Sequence, residues 1–81
     1  KDAVSRISFT LLMMFKDHST KINNEYKYDI TFTHYDIARM TGLSRVSVSN
    51  VFSKMIEENI LYKKNGYFYI KDIKKLKSLC D

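Results

Sequence analysis

Hydrophobic and polar positions along the 81-residue chain change their period several times, and each change marks an element. Over residues 1–16, KDAVSRISFTLLMMFK, the side chains of Val4, Ile7, Leu11, Leu12, Met14 and Phe15 fall mainly on one side of a helix, with Arg6 and Lys16 outside. The adjacent methionines read as adaptable core filler. The polar stretch STKINNE follows as a linker. Tyr26, Tyr28, Ile30 and Phe32 then alternate with Lys27, Asp29 and Thr31, the period of a half-buried strand over 26–32.

From Thr33 the period becomes helical again, and THYDIARMTGLSRVSVSNVFS reads as two short helices joined by a tight turn. Thr33 and Asp36 are spaced for a reciprocal capping box that starts the first of them. Ile37 and Ala38 face inward, Gly42 provides a sharp turn with positive φ, and Leu43 plugs the corner. Thr41 stands where a larger apolar residue is usual. Ser44 caps the second helix, in which Val48, Val51, Phe52, Met55 and Ile56 form one apolar stripe. The opposite stripe is Arg45, Val46, Ser49, Asn50, Ser53 and Lys54, with no carboxylate before Glu57. Any surface helix has a polar outer face. Here it follows the spacing of a helix-turn-helix, whose second helix approaches phosphates and base edges.

Residues 60–64 and 67–71 are joined by Asn65-Gly66, a strong signal for a two-residue hairpin turn. Across it Leu61 pairs with Ile70 and Lys63 with Phe68 on one face, Tyr62 with Tyr69 and Lys64 with Tyr67 on the other. Asp72 caps a last short helix with Ile73, Leu76 and Leu79 inward and Lys74, Lys75 and Lys77 outward. The predicted fold is α+β: a winged helix-turn-helix with a small three-helix core, a β-hairpin wing and a short C-terminal helix.

Composition narrows this further. The length fits a single domain over 1–81, and 44% apolar residues suffice for a compact core without disulfide or metal. The net charge is +5, and the excess lies at the C-terminal end, where 61–81 carry six lysines against two aspartates. That balance fits an anionic partner, although a lysine-rich composition also accompanies AT-rich genomes. Lys63 and Lys64 at the wing either meet a phosphate backbone or solubilise a strand edge. The lone Cys80 cannot form an internal bridge and suits a reduced compartment. His18, His34 and Cys80 do not make a metal set. No apolar run reaches membrane-spanning length or carries a signal-peptide pattern, so a soluble, cytoplasmic protein is expected. With two glycines and no argued triad there is no phosphate-cradling loop and no basis for an enzyme.

RISFTLL at 6–12, FTHYDIARMTGLSRVSVSNV at 32–51, ENIL at 58–61 and YIKDIKKLKSL at 69–79 together resemble the C-terminal DNA-binding domain of the CRP/FNR family of bacterial transcription regulators. The resemblance implies a homodimer of the full-length protein on a near-palindromic double-stranded DNA operator, with RNA polymerase as a candidate partner and no membrane association. It also implies that these residues are a fragment. The family's sensor β-barrel and dimerisation helix are absent from them, and any effector or iron–sulfur ligands with those parts, so no cofactor is expected. Arg45 matches a family arginine used on guanine or phosphate, and Ser47 and Ser49 match small polar positions near the backbone. Val46 and Asn50 depart from the family's commoner glutamate and arginine, which implies a different operator.

These readings give sequence-specific DNA binding for transcriptional regulation, with the recognition helix over 44–58 in the major groove and the wing over 60–71 near the backbone. The assigned base contacts are Arg45, Val46, Ser49 and Asn50. The assigned backbone contacts are Thr33, His34, Ser44, Ser47, Ser53, Lys54, Lys63 and Lys64. The alternative is a winged-helix protein-interaction module without DNA binding. It would be expected to expose an apolar patch on the second helix, where only Val46 qualifies.

Overall fold

A computed structural model describes residues 2–80, in the order α1 (Ala3–Asp17), β1 (Ser19–Ile22), β2 (Glu25–Tyr28), α2 (His34–Thr41), α3 (Arg45–Glu57), β3 (Leu61–Lys64), β4 (Tyr67–Ile70) and α4 (Ile73–Ser78). Helix α1 starts where the Asp2 carboxylate accepts from the Ser5 amide at 2.8 Å. Its Ile7, Leu11 and Met14 are buried, and Leu12 and Phe15 pack against the same core. Phe9 and Met13 face solvent.

The sequence reading is corrected between α1 and α2. STKINNE is not a linker: its first four residues are β1, which pairs antiparallel with β2 from Ser19↔Tyr28 to Ile22↔Glu25 around a turn at Asn23-Asn24. Hydrophobic alternation could not reveal β1, because Ile22 is its sole large apolar residue and is itself exposed. The local signal was Asn23, which takes φ 57, a left-handed conformation that asparagine tolerates. Likewise the strand over 26–32 ends at Tyr28; the chain bends at Asp29 and Ile30, so Ile30 turns to solvent while Phe32 returns to the core.

The four strands form one antiparallel sheet in the order β1-β2-β4-β3. The wing register is the one read across Asn65-Gly66, with all four expected pairs in place and both turn residues at positive φ. The wing is joined to the first hairpin through Tyr26↔Ile70 and Lys27↔Tyr69. Between sheet and helices lies an aromatic layer in which Phe32 stacks on Phe68 at 4.9 Å and Phe52 meets Phe68 edge-on at 5.3 Å. Tyr28 is fully buried, and its hydroxyl donates to the Leu11 carbonyl at 2.6 Å, tying β2 to α1. Burial pushes its phenol well above the ordinary tyrosine pKa.

Helix α2 opens with the expected capping box, the Thr33 hydroxyl accepting from the Asp36 amide at 3.1 Å and the Asp36 carboxylate from the Thr33 amide at 2.8 Å. Gly42 ends the helix at φ 74, as the turn required. The structure explains Thr41: it is buried, and its hydroxyl donates to the Ile37 carbonyl at 2.7 Å, so the polar group is satisfied within its own helix. Arg6 is exposed, as read, and its guanidinium also donates to the Thr41 carbonyl, bracing α1 against the turn.

In α3 the core face is Val48, Phe52 and Met55, with Val51 half-buried beside them. Ile56 is 43% exposed, so it does not belong to the apolar stripe; the stripe centres on Val48 and Met55, which swings the residue after Met55 past its edge. Asn59, at φ 61, turns the chain out of the helix, and the Ile60 amide donates back to the Met55 carbonyl at 2.9 Å. In α4 the Asp72 carboxylate accepts from the Lys75 amide at 3.0 Å, and Leu76 is buried with Ile73 and Leu79 at its flanks.

Candidate nucleic-acid interface

The exposed side of α3 is built from short and hydrogen-bonding side chains on a helix held by its opposite face. Ser44 Oγ accepts from the Ser47 amide at 3.1 Å and lies 3.0 Å from Ser47 Oγ, so the cap presents two coupled hydroxyls at the helix N-terminus. Arg45, Val46, Asn50, Ser53 and Lys54 are exposed, and Val46 reaches 67% exposure. Ser47 and Ser49 are half-buried.

These residues divide between three parts of the surface. Toward the wing stand Arg45, Ser49, His34 and Lys63. His34 Nδ1 is 2.8 Å from Ser49 Oγ, its ring packs on Phe52 at 4.7 Å, and Lys63 Nζ lies 5.3 Å over the Phe68 ring. Burial holds the His34 pKa below the ordinary histidine value, and the positive charges of Lys63 and Arg45 lower it further. The centre of the face is Val46 with Ser53, one helical step from Asn50. On the far side Asn50 and Lys54 border an apolar groove floored by Val4, Val51, Met55 and Leu79.

Other assigned residues are placed less simply. The Thr33 hydroxyl and amide are both engaged in the capping box, leaving the hydroxyl proton for an outside acceptor. Lys63 and Lys64 point to opposite faces of the wing: Lys63 shares a face with Phe68, whereas Lys64 lies with Tyr62 and Tyr69 beside the Asn23-Asn24 turn. There Tyr62 and Tyr69 stack at 5.0 Å, and the Tyr62 hydroxyl donates to the Glu25 carboxylate. That hydrogen bond, with burial, raises the Tyr62 pKa to about 12.

Sequence reasoning missed the link between His34 and Ser49 and the brace from Arg6. Both join residues far apart in the chain, so no periodicity carries them. Among the described residues no cluster of histidine, cysteine or carboxylate side chains could hold a metal, and no helix is long and apolar enough to cross a membrane. Cys80 Sγ is half-buried, 3.9 Å from the Leu76 carbonyl.

A family model, the Crp-like helix-turn-helix domain, matches residues 5–79. The Porphyra purpurea protein ycf28, named as an HTH-type transcriptional regulator, is 30% identical over 61 residues, 75% of this chain and 26% of that protein. Among solved structures, the CO-dependent transcription factor CooA from Carboxydothermus hydrogenoformans, in its imidazole-bound form, superposes with a TM-score of 0.90 and 27% identity, covering 99% of this chain and 37% of CooA. Reduced CprK without ligand superposes with a TM-score of 0.87 and 26% identity, over 96% of this chain and 38% of CprK. The chain therefore spans between a quarter and two fifths of the proteins it resembles. With α2–α4, the capped turn, the wing and all but the first two residues of α1 inside the matched span, the chain belongs to the Crp-like helix-turn-helix domains, the DNA-binding module of the CRP/FNR family of transcription regulators.

Proposed function

We propose that this domain reads duplex DNA sequence-specifically, with α3 in the major groove and the wing along the phosphate backbone, as part of a dimeric transcription regulator on a near-palindromic operator. The observation that carries the reading is the outer face of α3: exposed Arg45, Val46, Asn50, Ser53 and Lys54, with half-buried Ser49, free of carboxylates until Glu57 and flanked by Lys63. A face that admits a polyanion and offers hydrogen-bonding side chains to base edges has this composition. Arg45, Val46, Ser49 and Asn50 are assigned to bases. Thr33, His34, Ser44, Ser47, Ser53 and Lys54 are assigned to phosphates, with Lys63 the better placed of the two wing lysines.

Asparagine can pair bidentately with adenine, and the valine methyls suit the thymine methyl, so the base pairs under Asn50 and Val46 are A·T. Selection of binding sites from random duplex tests this. The parent chain returns A·T at those two positions, and Val46→Glu with Asn50→Arg moves them toward G·C, each contact being worth about 1–3 kcal/mol. The same selected motif from both proteins would show that this face does not read bases.

A further inference from the structure

Between the wing and α3 the structure holds a contact that the base-reading assignment leaves unused. His34 Nδ1 and Ser49 Oγ are 2.8 Å apart, and the imidazole is wedged against Phe52 at 4.7 Å and Phe68 at 6.4 Å. The ring is thereby held in place by α3 and β4 together. Which of the two partners donates depends on where the imidazole carries its proton.

We infer that His34 is a positioning residue that fixes Ser49 as a hydrogen-bond acceptor toward the base edge. The inference rests on the reading of α3 as the base-reading helix and of His34 as a backbone contact. A neutral imidazole has one proton, and a phosphate oxygen can only accept. Contact between Nε2 and a phosphate therefore places the proton on Nε2 and leaves Nδ1 bare. A bare Nδ1 accepts the Ser49 hydroxyl hydrogen, so Ser49 Oγ presents lone pairs alone to the groove. The charged groups facing the ring are Lys63 from β3 and Arg45 from α3; Ser49, Phe52 and Phe68 supply the rest of its surroundings. Both charges are positive and oppose a second proton on the ring, whereas the phosphate at Nε2 favours one; a single proton on the ring in the complex is part of the proposal.

A serine hydroxyl on its own donates or accepts and discriminates poorly. An acceptor-only oxygen pairs with the amino groups of adenine N6 or cytosine N4 and is repelled by guanine O6 and thymine O4. Ser49 in this setting selects adenine or cytosine on the strand it touches.

Site selection and competition binding with four proteins test this. Ser49→Ala first identifies the base pair concerned, as the position whose preference it alone removes. At that pair the parent is expected to favour adenine or cytosine on the contacted strand by at least about fivefold. The His34→Asn carboxamide reaches only the Nδ1 position, so it keeps the preference while weakening binding to every sequence by about fivefold, with the slope of log K against log salt unchanged because a neutral imidazole releases no counterion. The His34→Gln carboxamide reaches the Nε2 position instead, so it keeps the overall affinity and loses the preference. Thermal melting of each variant separates these effects from loss of fold, and long-range proton–nitrogen NMR of the complex should show Nδ1 unprotonated. Parent-like preference in His34→Gln, guanine or thymine chosen by the parent at that pair, or a protonated Nδ1 would each overturn the inference, with selection under Val46 and Asn50 intact. A parent with no preference at any position would instead overturn the DNA reading itself, and the inference with it.

Discussion

Replacing Gly42 by alanine measures how firmly α1 is locked to the turn of the helix pair, and Gly66 supplies the control. Both glycines have positive φ, 74 and 85, so alanine at either site incurs the left-handed penalty of about 1–2 kcal/mol. The surroundings differ. A Cβ at Gly66 meets nothing within 4 Å, whereas one at Gly42 lies 3.3 Å from Nη2 of Arg6, the side chain that donates to the Thr41 carbonyl. The guanidinium must give by a few tenths of an ångström while tethered by a charge-assisted hydrogen bond, a type that contributes about 1.5–3 kcal/mol. Weakening that bond adds about 1 kcal/mol, so Gly42→Ala is expected to lose about 2–3 kcal/mol and Gly66→Ala about 1–2. In a domain of this size each kcal/mol lowers Tm by about 4–8 °C, which thermal melting followed by circular dichroism resolves. Arg6→Ala should then be additive with Gly66→Ala and fall short of additivity with Gly42→Ala by about 1 kcal/mol. Equal losses at the two glycines, with Arg6→Ala additive to both, would refute the brace.

Three further outcomes follow from the same geometry. Lys63→Ala should flatten the salt dependence of DNA binding by about 0.9 in log–log slope, and Lys64→Ala, on the opposite face of the wing, by clearly less; the reverse order would put the wing on DNA by its other face. Tyr62 should ionise late, near pH 12 rather than about 10, in an absorbance titration. Because its folded pKa lies above the unfolded one, its contribution to stability is complete below about pH 10 and is lost as pH rises through 12; Tyr62→Phe should remove that alkaline component. Tyr28→Phe leaves the Leu11 carbonyl without its 2.6 Å partner and should destabilise the chain by about 1–2 kcal/mol in denaturant unfolding, with little change in DNA affinity.

Much of this was legible in the residues because it is local. The Thr33 and Asp36 box, the Gly42 turn, the Ser44 and Asp72 caps and the wing register around Asn65-Gly66 each depend on neighbours within a few positions. β1 was not legible, since backbone pairing with β2 holds it in the sheet and its one large apolar side chain faces solvent. Ile56 was misplaced because helical periodicity defines a stripe only to within a step, and packing chiefly against α1 and α2 chose its centre. In the candidate interface, the sequence supplied the exposed stripe of α3. Strand alternation across Asn65-Gly66 already parts Lys63 from Lys64, but nothing local pairs His34 with Ser49, because that relation arises from the docking of α2 on α3.

The order β1-β2-β4-β3 makes α2, α3 and β3 an excursion between two strands, β2 and β4, that end up side by side. Each hairpin closes a short loop and can form on its own within microseconds, whereas the seam of Tyr26↔Ile70 and Lys27↔Tyr69 must wait until the whole excursion has folded back. Once closed, that seam is nearly indifferent to the length of the connections between its ends, because closure entropy grows only with the logarithm of length, about 0.6 kcal/mol for each doubling. The outer face of α3 can therefore be exchanged side chain by side chain, with Val48, Phe52 and Met55 kept in the core, while the sheet keeps its register, which lets the binding preference change without a new fold.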